Sequence, residues 1–373
     1  MERSIRIDRG LELRSQPETG HNRWHPGIPP VIGCDPGDEV VLETRDAFDG
    51  QFGPTASIDV VRAPNLFLVH PLTGPVYVSG AQAGDLLEIE ILEVAPESYA
   101  FTTQVPGFGF LRDVFPEPFF VKWRIADGSA TSDDLPGVRV PGAPFMGVIG
   151  LAPDRGLLDE TIRREAASLA GGGFVLPPDP TDAVPAGNAI ASEALRTIPP
   201  RETAGNVDIK HLTAGTHLFV PVFAEGALFS AGDAHFAQGD GEVCGTAIEM
   251  AATLRVRFAV HKGVAASRGI RWPEFSRNAP SPVPEPSRYY ATTGQPISRE
   301  SGTNRAEDLT LAARNAVLNM IDYLTRDGLW TRQQAYAICS VAVDLKVSEL
   351  VDVPNYIVSA ILPLDILPGG RPG

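Results

Sequence analysis

The chain has 373 residues, 43% hydrophobic and 21% charged, the balance of a folded globular protein long enough to bury a large core in two or three subdomains. Its 46 acids outnumber 31 lysines and arginines, and the net charge of −15 disfavours a nucleic-acid or anionic-membrane partner while suiting a neutral small molecule. Three widely spaced cysteines without a pairing pattern, a charged N-terminus unlike a signal peptide, and no apolar run near the roughly 20 residues of a membrane span lead us to expect a cytoplasmic protein.

With 37 glycines and 34 prolines, turns are frequent, which favours many short strands over a helical bundle. Asp35–Asp38 reads as a turn and Glu39–Thr44 as a strand; Asp46 and Asp49 follow in a polar loop, where acids are ordinarily solvated. His70 stands at a strand end, a common place for a hydrogen-bonded loop histidine. Pro75–Ser79, the Gly80–Gly84 turn and Leu86–Val94 form a hairpin pattern, apolar residues alternating with acids in the second arm. Ala100–Trp123, rich in aromatics and prolines, reads as a loop covering a pocket rather than a regular element. Gly142–Arg155 is a small-residue strand in which Gly147 and Gly150 either admit a ligand closely or relieve packing.

Thr161–Ala170 has the pattern of a short helix, and residues 171–200 that of a long connection. In Arg201–Leu212, Asn206 suits a left-handed backbone, and Asp208 and Lys210 share a face if the chain is extended. The densest polar segment is Gly232–Glu249, GDAHFAQGDGEVCGTAIE, set between two runs that read as strands. Asp233 and His235 fall on one face of an extended chain, as do Gln238, Asp240 and Glu242. Spacing alone leaves two readings open: a glycine-rich hairpin with solvated acids, or a pocket lined by carboxylates and an imidazole. Farther on, Ser267–Arg299 is loop-like, Asn304–Thr325 has helical apolar spacing, Thr331 caps a second helix through Val343, and Tyr356–Leu362 reads as a strand. This last third reads as scaffold, with Asp344 and Glu349 solvated.

The segment GDAHFAQGDGEVCGTAIE resembles the signature of the acetamidase/formamidase family, hydrolases of short amides. Four further stretches are similar to that family: HPLTGPVYVSGAQAGD (70–85), AGNVDIKHL (204–212), LFVPVFAEGALFS (218–230) and the C-terminal AYAICSVAVDLKVSELVDVPNYIVSAILP. One position departs, since Ala204 stands where the first glycine of the family's Gly-Gly-Asn pattern would be. The resemblance implies a mainly β fold: a jelly-roll-like or β-sandwich-like N-terminal region over 1–125, a central β region over 126–265 carrying the signature, and an α+β part over 266–373. It also implies a homo-oligomer, and it makes Asp46 a candidate metal ligand, with Asp49 and His70 weaker ones.

Amides resist hydrolysis because the carbonyl is a poor electrophile and the amine a poor leaving group; a divalent ion and a nearby carboxylate address these two obstacles. The expected site is therefore a Zn²⁺ ion held by Asp46, Asp208 and His235, with Asp233 as ligand or orienter. Oxygen-rich ligation also admits Ca²⁺ or Mn²⁺. Glu242 is the expected proton shuttle with Glu249 in reserve, and Gln238 and Lys210 are expected to bind the substrate carbonyl or developing oxyanion. Two alternatives stand beside this: a Cys244 thiolate nucleophile, and a β-sandwich binding module for a small molecule or carbohydrate with a structural ion.

Overall fold

A computed structural model describes residues 2–187 and 189–369. Two large β-sheets share one core. The first has six strands in the order Glu2–Ile5, Glu39–Thr44, Ala252–His261, Leu86–Pro96, His217–Pro221 and Glu274–Ser276. Its two central strands alternate as their sequences do: Leu87, Ile89, Leu254, Val256 and Phe258 are buried, while Arg255 and Arg257 on the outer face pair with Glu39, and Arg257 also with Glu90. Strands from all three stretches expected to be separate regions thus hydrogen-bond into one sheet.

The second sheet has eleven strands, and its main path runs Arg139–Pro141, Ser129–Thr131, Phe119–Ala126, Tyr99–Gln104, Glu249–Met250, Phe229–His235, Phe145–Gly150 and Ala204–Asn206. Leu72–Val78 also pairs with Phe229–His235 and carries the short strands Gly20–His21 and Ile32–Cys34. The two sheets meet through an apolar core that includes Leu42, Ile89 and Val256 from the first and Val76, Met146 and Ala231 from the second; the Phe229 and Phe258 rings lie 5.0 Å apart across it. The expected loop over Ala100–Trp123 is instead two paired strands, Tyr99–Gln104 and Phe119–Ala126, around an irregular turn. The breakers Pro106, Gly107, Gly109 and Pro116 all fall between them, so the alternating flanks remain free to pair.

The C-terminal part folds as expected in kind. Tyr289–Gly294, Ile357–Pro363 and Asp344–Glu349 form a three-stranded sheet, against which the helices Leu309–Thr325 and Arg332–Ala342 pack. The first helix begins five residues after Asn304, because Asp308 accepts the Leu311 N–H and sets the start there. The second starts with a capping box between Thr331 and Gln334. Asp344 is not solvated: it pairs with Lys210, tying this sheet to the central region. No helix among the described residues is long and apolar enough to cross a membrane.

Candidate active site

The site is built on Phe229–His235, a strand buried along its whole length. Phe145–Gly150 pairs along one edge; on the other the partner changes, from Leu72–Val78 at Ala231 to Glu249–Met250 at Ala234. Asp233 sits at that change with φ 56°, a left-handed conformation that aspartate tolerates better than most residues. The register sets His235 opposite Glu249, so their side chains share a face.

Asp208 enters from the turn after Ala204–Asn206, also left-handed at φ 47°, with the Val207 and Asp208 N–H groups donating to the Gly147 carbonyl. Glu242 reaches in from the irregular 236–248 segment at φ 44°. Three acids of one site in a sparsely populated backbone region indicate strain held by the surrounding structure, of about 1 kcal/mol or more each. Ligand atoms of Asp208, Asp233 and His235 lie within 4.8 Å of one another, and so do those of His235, Glu242 and Glu249. Gly147 makes the convergence possible: a Cβ there would stand 2.7 Å from Asp208 Oδ1, 2.8 Å from Asp233 Oδ2 and 2.8 Å from His235 Cε1.

Gln238 orients the imidazole. Its Nε2 donates to the Asp208 carbonyl at 2.7 Å, which turns Oε1 toward His235 Nδ1 at 2.9 Å. Nδ1 therefore carries a proton, and Nε2 faces Asp233 Oδ1 at 3.2 Å and Glu249 Oε2 at 3.1 Å. His70 stands beside them, its Nε2 3.8 Å from Asp233 Oδ2.

Burial and crowding dominate the electrostatics. Burial pushes the Asp208 carboxyl up to about 7 and Glu249 up to about 8, the His235 imidazole offsetting part of each shift. Burial together with the charge of Asp208 takes Glu242 well above the usual carboxylate range. Asp233 goes the other way, because His235 and His70 outweigh its burial and hold it below that range. Burial works against a charge on His235, but Glu249 and Asp233 raise it well above an ordinary imidazole. So many acids in one dry place call for a cation. Asp208 Oδ1 is buried without a hydrogen-bond partner, and Glu249 Oε2, also buried, meets His235 Nε2 at 3.1 Å. The orphaned Asp208 oxygen, the room Gly147 leaves and the mixed oxygen and nitrogen donors fit a divalent metal ion.

Asp208, Asp233, Glu242 and Glu249 line a cavity of about 200 Å³, which His70, Thr103, Asn206 and Thr246 also line. Its remaining wall is apolar: Phe48, Leu66, Val69, Val105, Phe108 and Ile198. A second cavity of about 270 Å³ lies behind Gln238, lined by Lys210, Arg139 and Asp344 among mainly apolar residues, and lacks the carboxylate–imidazole group.

Of the residues expected to act together, the structure gathers Asp208, Asp233, His235, Glu242 and Glu249. It does not bring Asp46 into that group. The Asp46 carboxylate accepts the Phe48 and Gly50 N–H groups of its own turn, at 2.9 and 3.0 Å, and only its charge reaches Asp233. Asp49 accepts the Leu13 N–H and lies 3.5 Å from Arg45 Nε. Lys210 points away from the cavity to Asp344 and to Asp240, the latter at 3.3 Å. Asp208 and Lys210 diverge because the left-handed turn at Asp208 breaks the extended geometry that would align them. Both ends of the Gln238 amide are taken by protein, so it positions His235. Asn206 is extended; the left-handed residues beside it are Ala204, Gly205 and Asp208. The Cys244 thiol lines the cavity but lies 3.5 Å from the Thr103 and Thr246 carbonyls, and burial pushes it up, so it is not a ready thiolate.

The sequence profile described as the Acetamidase/Formamidase family matches residues 6–368. The chain belongs to that family. It is 37% identical over 359 residues to an acetamidase of Mycolicibacterium smegmatis, covering 89% of this chain and 87% of that protein. It is 36% identical over 386 residues to a formamidase of Methylophilus methylotrophus, covering 98% and 94%. Among solved structures, a gamma lactamase from Delftia acidovorans superposes with a TM-score of 0.94 at 36% identity, over 100% of this chain and 95% of that one. As a member of the acetamidase/formamidase family, the chain is an amidase. Thr103, Asn206 and Phe108 also line the cavity; the signals for them in the sequence were the Gly-Asn pair and the aromatic stretch Ala100–Trp123, expected to cover a pocket.

Proposed function

We propose that this amidase hydrolyses short aliphatic amides to ammonia and the carboxylic acid with the help of a divalent ion, zinc in the first instance, held by Asp208, Asp233 and His235. The observation that carries the reading is the convergence of Asp208, Asp233 and His235, whose ligand atoms lie within 4.8 Å of one another, with Asp208 Oδ1 buried and lacking a hydrogen-bond partner. When bound, such an ion supplies Lewis acidity, polarising the carbonyl and making a water acidic enough to attack at neutral pH.

The rest belongs to the chain's own residues. Glu242, raised by burial and by Asp208, is suited to take a proton at one carboxylate oxygen and return it to the departing nitrogen. Glu249 lies across from His235 and is the second group able to hold that proton. Gln238 fixes which ring nitrogen of His235 faces Asp233 and Glu249. The apolar wall receives the acyl group and excludes bulk water. Asp46 and Lys210 enter this reading at a distance, the first through its charge toward Asp233 and the second by anchoring Asp240 of the signature.

A second reading, a small cyclic amide as substrate, is supported by the size of that apolar wall and by the likeness to the gamma lactamase. Ammonia release from formamide, acetamide and propionamide, with and without chelator, tests the first; ring opening of a γ-lactam, which yields an amino acid and no ammonia, tests the second. Metal-replete protein that turns over neither group of compounds would overturn both. The expected homo-oligomer also belongs to this proposal, and Val347, Leu350, Val351 and Val353, exposed on the 344–363 hairpin, are the apolar surface it would cover.

A further inference from the structure

Two of the cavity's polar atoms outside the carboxylate–imidazole group have no partner: Asn206 Oδ1 and Thr103 Oγ1, both buried. The amide of Asn206 is not free to flip, because its Nδ2 donates to the Ile198 carbonyl at 3.0 Å; the atom left over is the acceptor. The Thr103 hydroxyl is separated from its surroundings in a similar way. The backbone N–H of Thr103 donates to Thr246 Oγ1 at 2.8 Å, and Thr246 Oγ1 donates to the Thr103 carbonyl at 2.9 Å, so the neighbouring hydroxyl is occupied and Thr103 Oγ1 is not. Thr103 is 1% exposed, and a hydroxyl buried so thoroughly and left unmade is costly unless something fills the cavity.

The two orphans differ in kind. One can only accept and the other can donate. A carboxamide is their complement, with N–H donors on nitrogen and an acceptor oxygen on carbon. We infer that Asn206 reads the substrate nitrogen, its Oδ1 accepting an amide N–H, and that Thr103 donates its hydroxyl to the substrate carbonyl oxygen. This rests on the amide-hydrolase reading and deepens it, since it gives the site a means of choosing amides over esters of the same shape. An ester places an oxygen where the amide has N–H, leaving Asn206 Oδ1 buried, unpaired and facing a lone pair. A ketone or ester still satisfies Thr103. The two residues therefore discriminate differently: Asn206 between amide and ester, Thr103 not at all.

The test uses an isosteric pair, N-methylacetamide and methyl acetate, as competitors of acetamide hydrolysis by the metal-replete protein. In the unaltered protein the ester's Ki is expected to be at least about tenfold weaker than the amide's, the effect of one buried acceptor left unmet. In Asn206→Ala the amide is expected to weaken about tenfold while the ester moves less than threefold, so the preference disappears. In Thr103→Val both are expected to weaken together, the preference surviving. Metal content and melting temperature are read alongside, and the ratio in the unaltered protein stands even if a variant does not fold. Equal Ki values for the pair in the unaltered protein, or a preference intact in Asn206→Ala, would overturn the inference. If no amide is hydrolysed, the amidase reading has failed separately, and calorimetric Kd values for the same pair still decide this point.

Discussion

Asp233 and His235 were expected on one face from their two-residue spacing; they do meet, and both meet Asp208, but with Asp233 left-handed and not in the extended geometry that the spacing assumed. The other acids could not be sorted this way. Whether an acid of the 232–249 segment faces the cavity depends on left-handed turns at Asp233 and Glu242, and whether Lys210 does depends on Asp344, 134 residues away. Asp46 looked like a ligand by resemblance, yet the two N–H groups of its own turn claim the carboxylate. Two consequences follow for single residues. Glu242→Gln removes the group proposed to carry the proton and is expected to lower kcat by roughly 10²- to 10⁴-fold with bound metal unchanged, measured by ammonia release and metal analysis. Cys244→Ala removes a buried thiol close to two carbonyls and is expected to leave kcat within about threefold; abolished turnover with metal retained would restore the thiolate alternative.

At the scale of elements, periodicity located several of the longer strands, among them Glu39–Thr44, Leu86–Pro96 and Ile357–Pro363, and both C-terminal helices, and it failed where a turn decides. Ala100–Trp123 looked irregular because its breakers are conspicuous, although they occupy only the hairpin's bend. Ala204, the one departure from the family pattern, holds φ 66°, a conformation glycine adopts freely and alanine adopts at a cost of ~1 kcal/mol. Ala204→Gly is expected to leave activity intact and raise the melting temperature by a degree or two, since the relief of strain is partly offset by glycine's freedom in the unfolded chain; a lower melting temperature would show that the buried methyl matters more.

The short strand Gly20–His21 adds a pH-dependent element. His21 is buried between the Arg23 carbonyl and Ser230 Oγ, and burial pushes its imidazole from 6.5 down to about 4, the Arg23 carbonyl opposing. Between these values the unfolded chain binds a proton that the folded one refuses, so this contribution to stability is complete above pH 6.5 and is lost as pH falls toward 4. At ~1.4 kcal/mol per pH unit the loss is on the order of 3 kcal/mol. His21→Gln is expected to flatten the fall of the denaturant midpoint between pH 7 and 4.5, whatever it does to stability at pH 7.

For the whole molecule, the many glycines and prolines and the family resemblance pointed to the mainly β class with an α+β end that the structure has, while the pairing of strands from residues 2–5 to 274–276 in one sheet lies beyond any local pattern, since only the shared core selects those partners. The same long-range closure assembles the site: Asp208 comes from a turn, Asp233 and His235 from a strand, and only the folded sheet brings their ligand atoms within 4.8 Å of one another.

That convergence is most directly tested by loading the protein with zinc and collecting anomalous diffraction at the zinc edge. The expected result is a peak about 2.0–2.2 Å from His235 Nε2 and from carboxylate oxygens of Asp208 and Asp233. A peak elsewhere, or none at this site in protein that still hydrolyses acetamide in excess chelator, would contradict it.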